Sequence, residues 1–393
     1  MSSNRLESPQ DAPVLSIGQS RQWFGLKKRP VQWDLAQHKS LVIYQPYYRG
    51  SFPIVSQADE QQMGIWHFNT DSSQALSDLQ HNRKNNTVEL NLGHHRSHSF
   101  NPLYDLTEEE LASWCQSVMT PSLQKINPEW SSQKLHLFWT HFCNAILGWS
   151  SQNQEELNLH QFRHWLHGPH LEDMVKSSKT HSFLRQWLNE ELDAKDILKS
   201  AEESLSISQF HLFTSEWGDF DVFDACDKKQ HVHVSVPDGL GANEINIRFV
   251  TCVLGSMLRA FKRQPQQSRR HMVVIENVEC LIEFGSILTE IIDIPGISLL
   301  IITPSPENFE YLHLNPSLFD REIKILNQKN GAGVDIRTKN KLTLFKKMET
   351  AHFSIAPLAD LSAYPVRKTA EKTAQILQQE TLPAQHAYQV QRL

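Results

Sequence analysis

Hydrophobic and polar positions are most regular between His231 and Thr303. The run His231-Val232-His233-Val234-Ser235-Val236-Pro237 alternates β-branched with polar residues and stops at Pro-Asp-Gly, the signature of a strand entering a turn. Ile247, Val250, Leu254, Leu258 and Phe261 then recur at helical spacing, and Arg and Lys gather where a helix dipole favours cations. Met272 to Glu276 and Ser298 to Thr303 are continuous apolar runs, with a further helical pattern over Ile282 to Ile292 between them. Strand, helix, strand, helix, strand, with the later strands apolar on both faces, predicts a buried parallel sheet. Ligands of such sheets bind at the carboxyl ends of the strands, here Glu276-Asn277 and Thr303-Pro304.

Further strands are predicted over 41–44, 64–68, 87–92 and 322–326, and a weaker one over 342–345. Helices are predicted over 73–82 and 367–379. Residues 47–59 read as a loop or a helix start. Between 106 and 213 the texture is helical throughout. Thr107-Glu108-Glu109-Glu110 has the form of a capping box. Beyond it, Leu135, Phe138, Trp139, Phe142 and Ile146 share one face, and helical patterns continue over 159–166, 183–192 and 197–213. The predicted fold class is therefore α/β: a mostly parallel sheet in two segments, 21–105 and 214–366, with an all-α subdomain inserted at 106–213. Residues 1–20, polar and without period, read as a disordered lead-in, and 367–393 as a final helix and tail.

Composition narrows the function classes. Against 38 Lys+Arg stand 44 Asp+Glu in 393 residues, so no global positive field calls for nucleic acid. The five cysteines, Cys115, Cys143, Cys226, Cys252 and Cys280, form no Cys-x-x-Cys and suit a reducing compartment. Neither a signal peptide nor a membrane-spanning run is visible, and a cytoplasmic protein is expected.

Several short motifs stand in a telling order. Ser99-Phe100-Asn101-Pro102-Leu103 follows a strand and precedes the helical insertion, and Pro128-Glu129-Trp130-Ser131 opens its aromatic helix. Trp217-Gly218-Asp219-Phe220-Asp221-Val222-Phe223 leads back to the His231 strand, and Met272 to Asn277 and Gly296 to Pro304 close the series. This order resembles the type IV coupling proteins of the TraG/TraD kind, hexameric ATPases that feed DNA or protein into conjugation and type IV secretion machines. The resemblance covers roughly residues 40–326 and implies a RecA-like nucleotide-binding fold with an inserted all-α domain.

The chain departs from that family at each nucleotide-binding station. A P-loop needs glycines that let backbone N–H groups wrap phosphate, a Lys for the β/γ charge and a Ser/Thr for Mg²⁺. The corresponding stretch is Gln45-Pro46-Tyr47-Tyr48-Arg49-Gly50-Ser51, with one Gly and no Gly-Lys-Ser/Thr. Asn69 stands where the family has an Asp, Glu276-Asn277 replaces the Walker B Asp-Glu pair, and Pro304 replaces a polar Gln. Asn277 cannot accept a proton from water, so the role of polarising the attacking water is lost. The expectation is a relic site that binds no cofactor and does not hydrolyse ATP, with Tyr47, Tyr48 or Arg49 filling the phosphate space and Arg49 pairing with Glu276. The resemblance then implies a structural or adaptor subunit, its partners the protein components of a secretion or conjugation machine, an active coupling ATPase and DNA among the candidates. It would lie in the cytoplasm, held at the inner membrane only through partners. The alternative is an ATPase or nucleic-acid-binding protein with an atypical nucleotide site.

Two other groups have a chemical reading beside a bland one. His160, His164 and His167 are spaced as zinc ligands on a helix would be, but also as a solvated face, and Gly168-Pro169 interrupts the row before His170. Arg259, Lys262, Arg263, Arg269 and Arg270 suit a phosphate backbone, or simply the polar end of a helix and its loop. The loop His94-His95-Arg96-Ser97-His98 is an exposed turn, or a contact for phosphate or metal.

Overall fold

The computed structural model describes residues 14–22, 27–35, 39–44, 52–69, 87–92, 97–166, 169–177, 184–186, 188, 192–209, 211–213, 218–236, 244–265, 270–276, 285–303, 321–328, 331–338 and 349–354. Eleven strands form one sheet. In chain order they are β1 (Val14–Gln22), β2 (Lys27–Asp34), β3 (Ser40–Tyr44), β4 (Gly64–Asn69), β5 (Thr87–Asn91) and β6 (His231–Ser235). They continue with β7 (His271–Glu276), β8 (Ile297–Thr303), β9 (Arg321–Gln328), β10 (Gly331–Thr338) and β11 (Glu349–Ser354). Their order across the sheet is β2-β1-β11-β10-β9-β3-β8-β7-β4-β6-β5. Every pairing from β9 to β5 is parallel, and β8 separates β3 from β7. The mostly parallel α/β fold expected from the apolar runs is therefore present.

The edge beyond β9 is antiparallel and was not foreseen. Residues 14–20, read from sequence as part of a disordered lead-in, belong to β1, which pairs along its length with β2 and with β11 at one end. Both strands are rich in polar residues and pair along their backbones, and Leu15 and Trp33 are buried there. Strands β10 and β11 were missed as well. Gly331-Ala332-Gly333, which opens β10, has little β propensity. The predicted strand at 342–345 and the helices over 73–82 and 367–379 lie outside the described residues, as does the tail after 354.

Helices cover the sheet unequally. Helix α1 (Phe52–Glu60) lies on one face with β1 and β2, where Ile54, Val55 and Ala58 pack on Leu41, Ile65, Met272, Val274, Leu300 and Ile302. On the other face lie α2 (Glu108–Val118), α3 (Thr120–Ile126), α4 (Ser132–Asn153), α5 (Leu159–Trp165), α6 (Pro169–Ser177) and α7 (Leu192–Ser204). They are joined there by α8 (Val222–Asp227), α9 (Glu244–Arg263) and α10 (Gly285–Asp293). After α7 the chain tightens into short 3₁₀ turns at Leu205–Gln209 and His211–Phe213, where one long helical pattern was expected. No strand interrupts the described residues between 106 and 213.

The expected capping box is formed: Thr107 Oγ1 accepts from Glu110 N, and the Glu110 carboxylate accepts from Thr107 N. Helix α4 starts at an N-cap Ser131 and buries Phe138, Trp139 and Phe142, whose rings touch one another, so the aromatic row is core. That core is continuous with the sheet. Trp66, Phe68, Val232, Val234, Val273 and Ile275 belong to the same buried cluster as the helical region. The helical stretch is tied down at both ends as well, since Phe100 bridges Phe220 and Asp219 Oδ1 accepts from Ser99 Oγ at 2.7 Å.

One close approach makes a sharp prediction. A Cβ on Gly64 would lie 2.1 Å from His271 Nδ1, and the His271 ring is fully buried, 5.0 Å from that of Phe261. Gly64→Ala is therefore expected to destabilise the fold by about 2–3 kcal/mol, as overpacking does. Urea unfolding should show the cost relieved when His271→Ala is added, a positive coupling between the two sites. A neutral Gly64→Ala variant would contradict the packing described.

Candidate functional site

Alternation along a strand assigns each residue to a face. Residues 65, 67 and 69 of β4 share theirs with 231, 233 and 235 of β6, 272, 274 and 276 of β7, and 87, 89 and 91 of β5, because the parallel registers bring these positions level. Over β3, β8 and β7 this face is apolar and packs on α1. Towards β5 it becomes polar, carrying His67, Asn69, His231, His233, Ser235 and Asn91, all buried. Burying so many polar groups opposes folding unless they bond one another or a ligand.

The carboxyl edge is where a ligand of such a sheet would bind, and there the polar groups bond one another. Register sets Asn69 opposite Glu276, and Asn69 Nδ2 donates to Glu276 Oε2 at 3.2 Å. His67 Nε2 lies 3.4 Å from the same oxygen. Glu276 is 1% exposed, His67 3% and Asn69 2%, and among the described residues the carboxylate is met from within the sheet, by β4. The His67 ring in turn meets the His233 ring edge-on, with centroids 5.0 Å apart.

His233 is the most constrained member of the cluster. Neither ring nitrogen has a hydrogen-bond partner, and burial pushes the imidazole down to about 3, with His67 adding to the effect and Glu276 opposing it. His271, on the opposite face, is pushed down to about 3 by burial and by Lys229. Both rings are neutral at physiological pH.

Of the residues read from sequence, Asn69 and Glu276 meet here. Tyr47, Tyr48, Arg49, Gly50, Ser51, Asn277 and Pro304 lie outside the described residues, and so does the contact expected between Arg49 and Glu276. His67 and His233 were missed as site residues. The alternation of His231 and His233 was visible, but only the β4–β6 register shows that His67 meets His233. In the His-rich loop, Ser97 and His98 extend β5: Ser97 Oγ accepts from Asn91 N at 2.9 Å, and His98 N donates to Glu89 O at 3.0 Å.

His160 and His164 are exposed on α5, and His167 lies outside the described residues. Among the described residues no three His, Cys, Asp or Glu side chains come close enough to hold a metal ion. The basic segment at the end of α9 is engaged by the protein. Lys262 pairs with Glu290, and Arg263 with Asp105 and Glu110. Partial burial opposes the charge of Glu110, but the Thr107 N–H and Arg263 outweigh it and hold the carboxyl below its ordinary value. Arg259 lies deeper, Arg270 is half-buried before β7, and Arg269 is outside the described residues.

No family model matches the chain, and no curated protein matches it in sequence. Among solved structures it is similar to the bacterial conjugative coupling protein TrwBdeltaN70 in complex with sulphate. The TM-score is 0.53 at 11% identity, covering 77% of this chain and 76% of that one. It is also similar to the plasmid coupling protein TrwB in complex with ADP and Mg²⁺, with a TM-score of 0.54 at 11% identity, covering 81% and 83% of the two chains. A third similar structure is TrwB with the non-hydrolysable GTP analogue GDPNP, with a TM-score of 0.54 at 11% identity, covering 80% and 78%. At such identity the likeness carries the fold. No helix among the described residues is long and apolar enough to cross a membrane.

Proposed function

We propose that this chain is a coupling-protein-like component of a conjugation or type IV secretion apparatus that works without hydrolysing ATP, as a structural or adaptor subunit. The observation that carries this reading is the state of Glu276. In a working phosphoryl-transfer site the carboxylate at the end of this strand serves Mg²⁺ and water, and the P-loop Lys answers the phosphate charge. Here one oxygen of Glu276 takes Asn69 and His67 as partners inside the sheet. The sequence 45–51 supplies no Lys and a single Gly. The Lys is missing, Asn69 and Asn277 are neutral, and the one carboxylate that remains, Glu276, has partners inside the sheet, as a buried charge requires.

The fold likeness to TrwB suggests where such a subunit acts. It would retain surfaces for docking on protein components of the transfer machine, an active coupling ATPase among them, on the cytoplasmic side. Steady-state ATPase measurement on the purified chain, paired with capture of partners from the source cell, tests both halves. Background phosphate release together with recovery of transfer-machine proteins is expected. Turnover above background that Glu276→Gln abolishes would overturn the non-catalytic half, and capture lacking every such protein would overturn the other.

A further inference from the structure

A cavity of about 220 Å³ lies where the two crossings into and out of the helical insertion meet α9; Phe100, Tyr104, Phe220, Phe223, Asp221 and Arg259 contribute to its wall. Its character is mixed, with aromatic walls and one cation. The Phe100 and Phe220 rings are 5.9 Å apart, and the guanidinium of Arg259 stands 5.2 Å above the Phe223 ring.

Arg259 is underserved compared with its neighbour. Arg263 lies over the same Phe223 ring at 4.9 Å and holds both Asp105 and Glu110. Arg259 donates a single hydrogen bond, from Nη2 to Tyr104 O at 3.3 Å, and its Nε has no partner. The nearest carboxylate in the wall, Asp221, is exposed, and its Oδ1 is engaged by Phe223 N at 2.8 Å and Asp224 N as the N-cap of α8. Burial pulls the guanidinium down to about 10, although Glu110, Asp105 and Asp221 oppose the shift and Arg263 adds to it. A half-buried guanidinium with spare donors, set among aromatic rings, is matched by a planar monoanion that carries an apolar group.

We propose that this cavity binds a carboxylate flanked by an apolar or aromatic side chain, presented by a partner polypeptide as its C-terminal residue or as an internal acidic residue. The carboxylate pairs with Arg259, and the neighbouring side chain packs on Phe100, Phe220 and Phe223. A space of this size accepts one large side chain and its carboxylate. Because both crossings of the insertion form the wall, an occupant joins the helical region to α9 across their junction. Glu276 does not line this cavity.

Binding to the full chain by saturation-transfer NMR tests it with three probes: N-acetyl-phenylalanine, acetyl-Phe-Asp-amide and the carboxylate-free N-acetyl-phenylalaninamide. At least one acid should bind saturably with Kd near ~1 mM and at least roughly tenfold more tightly than the amide, a difference within the range of one charge-assisted bond. Which acid binds tells a C-terminal from an internal carboxylate. Arg259→Gln, with an unchanged far-ultraviolet circular dichroism spectrum, should remove the preference. Equal binding of acid and amide, no saturable binding by either acid, or displacement of the acids by inorganic phosphate at equal concentration would overturn the proposal. The acid–amide comparison needs no variant, so a misfolded Arg259→Gln chain leaves it decisive.

Discussion

Lowering the pH from about 7 to about 4 is expected to unfold this protein, because buried imidazoles that are neutral in the folded state become protonated on unfolding. His233 and His271 are both held near 3, while an imidazole in an unfolded chain titrates near ~6.5. Between those values the unfolded chain binds protons that the folded chain does not, so stability falls as pH falls. Each group removes about 1.4 kcal/mol per pH unit in that window, and the pair nearly ~3. Two pH units then consume a large part of the stability of an ordinary domain, about 5–15 kcal/mol. Urea midpoints measured against pH should be flat above neutrality and drop steeply below about pH 6. Removing one titrating ring with His271→Leu should make the decline shallower by about half. An unchanged slope in that variant would show that the ring is not buried neutral.

The second large effect concerns Glu276. If its carboxylate is a structural partner of Asn69 and His67, Glu276→Ala removes an acceptor from inside the sheet and should destabilise by about 3 kcal/mol, as breaking a buried polar pair does. Glu276→Gln keeps an oxygen that can accept from Asn69 and should cost less, about 1 kcal/mol. A carboxylate kept for catalysis behaves in the opposite way. Active-site acids are commonly strained, and their removal from the ligand-free protein is neutral or stabilising. Denaturant curves of the three proteins separate the two cases, and a Glu276→Ala chain as stable as its parent would contradict the structural role.

Period and sidedness account for what the sequence revealed. Runs such as Met272 to Ile275 and Leu299 to Ile302 are apolar on both faces because helices cover one side and α1 with its neighbours the other. A strand buried twice is visible without any partner. Strands β1 and β2 pair along their backbones without a hydrophobic period in the sequence, and residues 14–20 of β1 were read as part of a lead-in. The site was half legible for a similar reason. Glu276 and Asn69 could be placed at strand ends because each closes an apolar run. The union of His67 with Glu276, and of His67 with His233, depends on strand order and register, to which residues more than a hundred positions apart contribute equally. Arg259 was read with its basic neighbours as a patch, since spacing along α9 does not show that Arg263 takes the carboxylates while Arg259 lines a cavity.

Titration of the full chain with Mg-ATP, followed by thermal unfolding and calorimetry, tests the central claim most directly. A ligand that binds only the folded state raises its stability by RT ln(1 + [L]/Kd), about 2.7 kcal/mol at a hundredfold excess over Kd. With Glu276 bonded to Asn69 and His67 and no P-loop lysine in 45–51, millimolar Mg-ATP should leave the melting temperature unchanged and release no heat of binding. A concentration-dependent rise in melting temperature that disappears in Glu276→Gln would show a working nucleotide site and contradict this account.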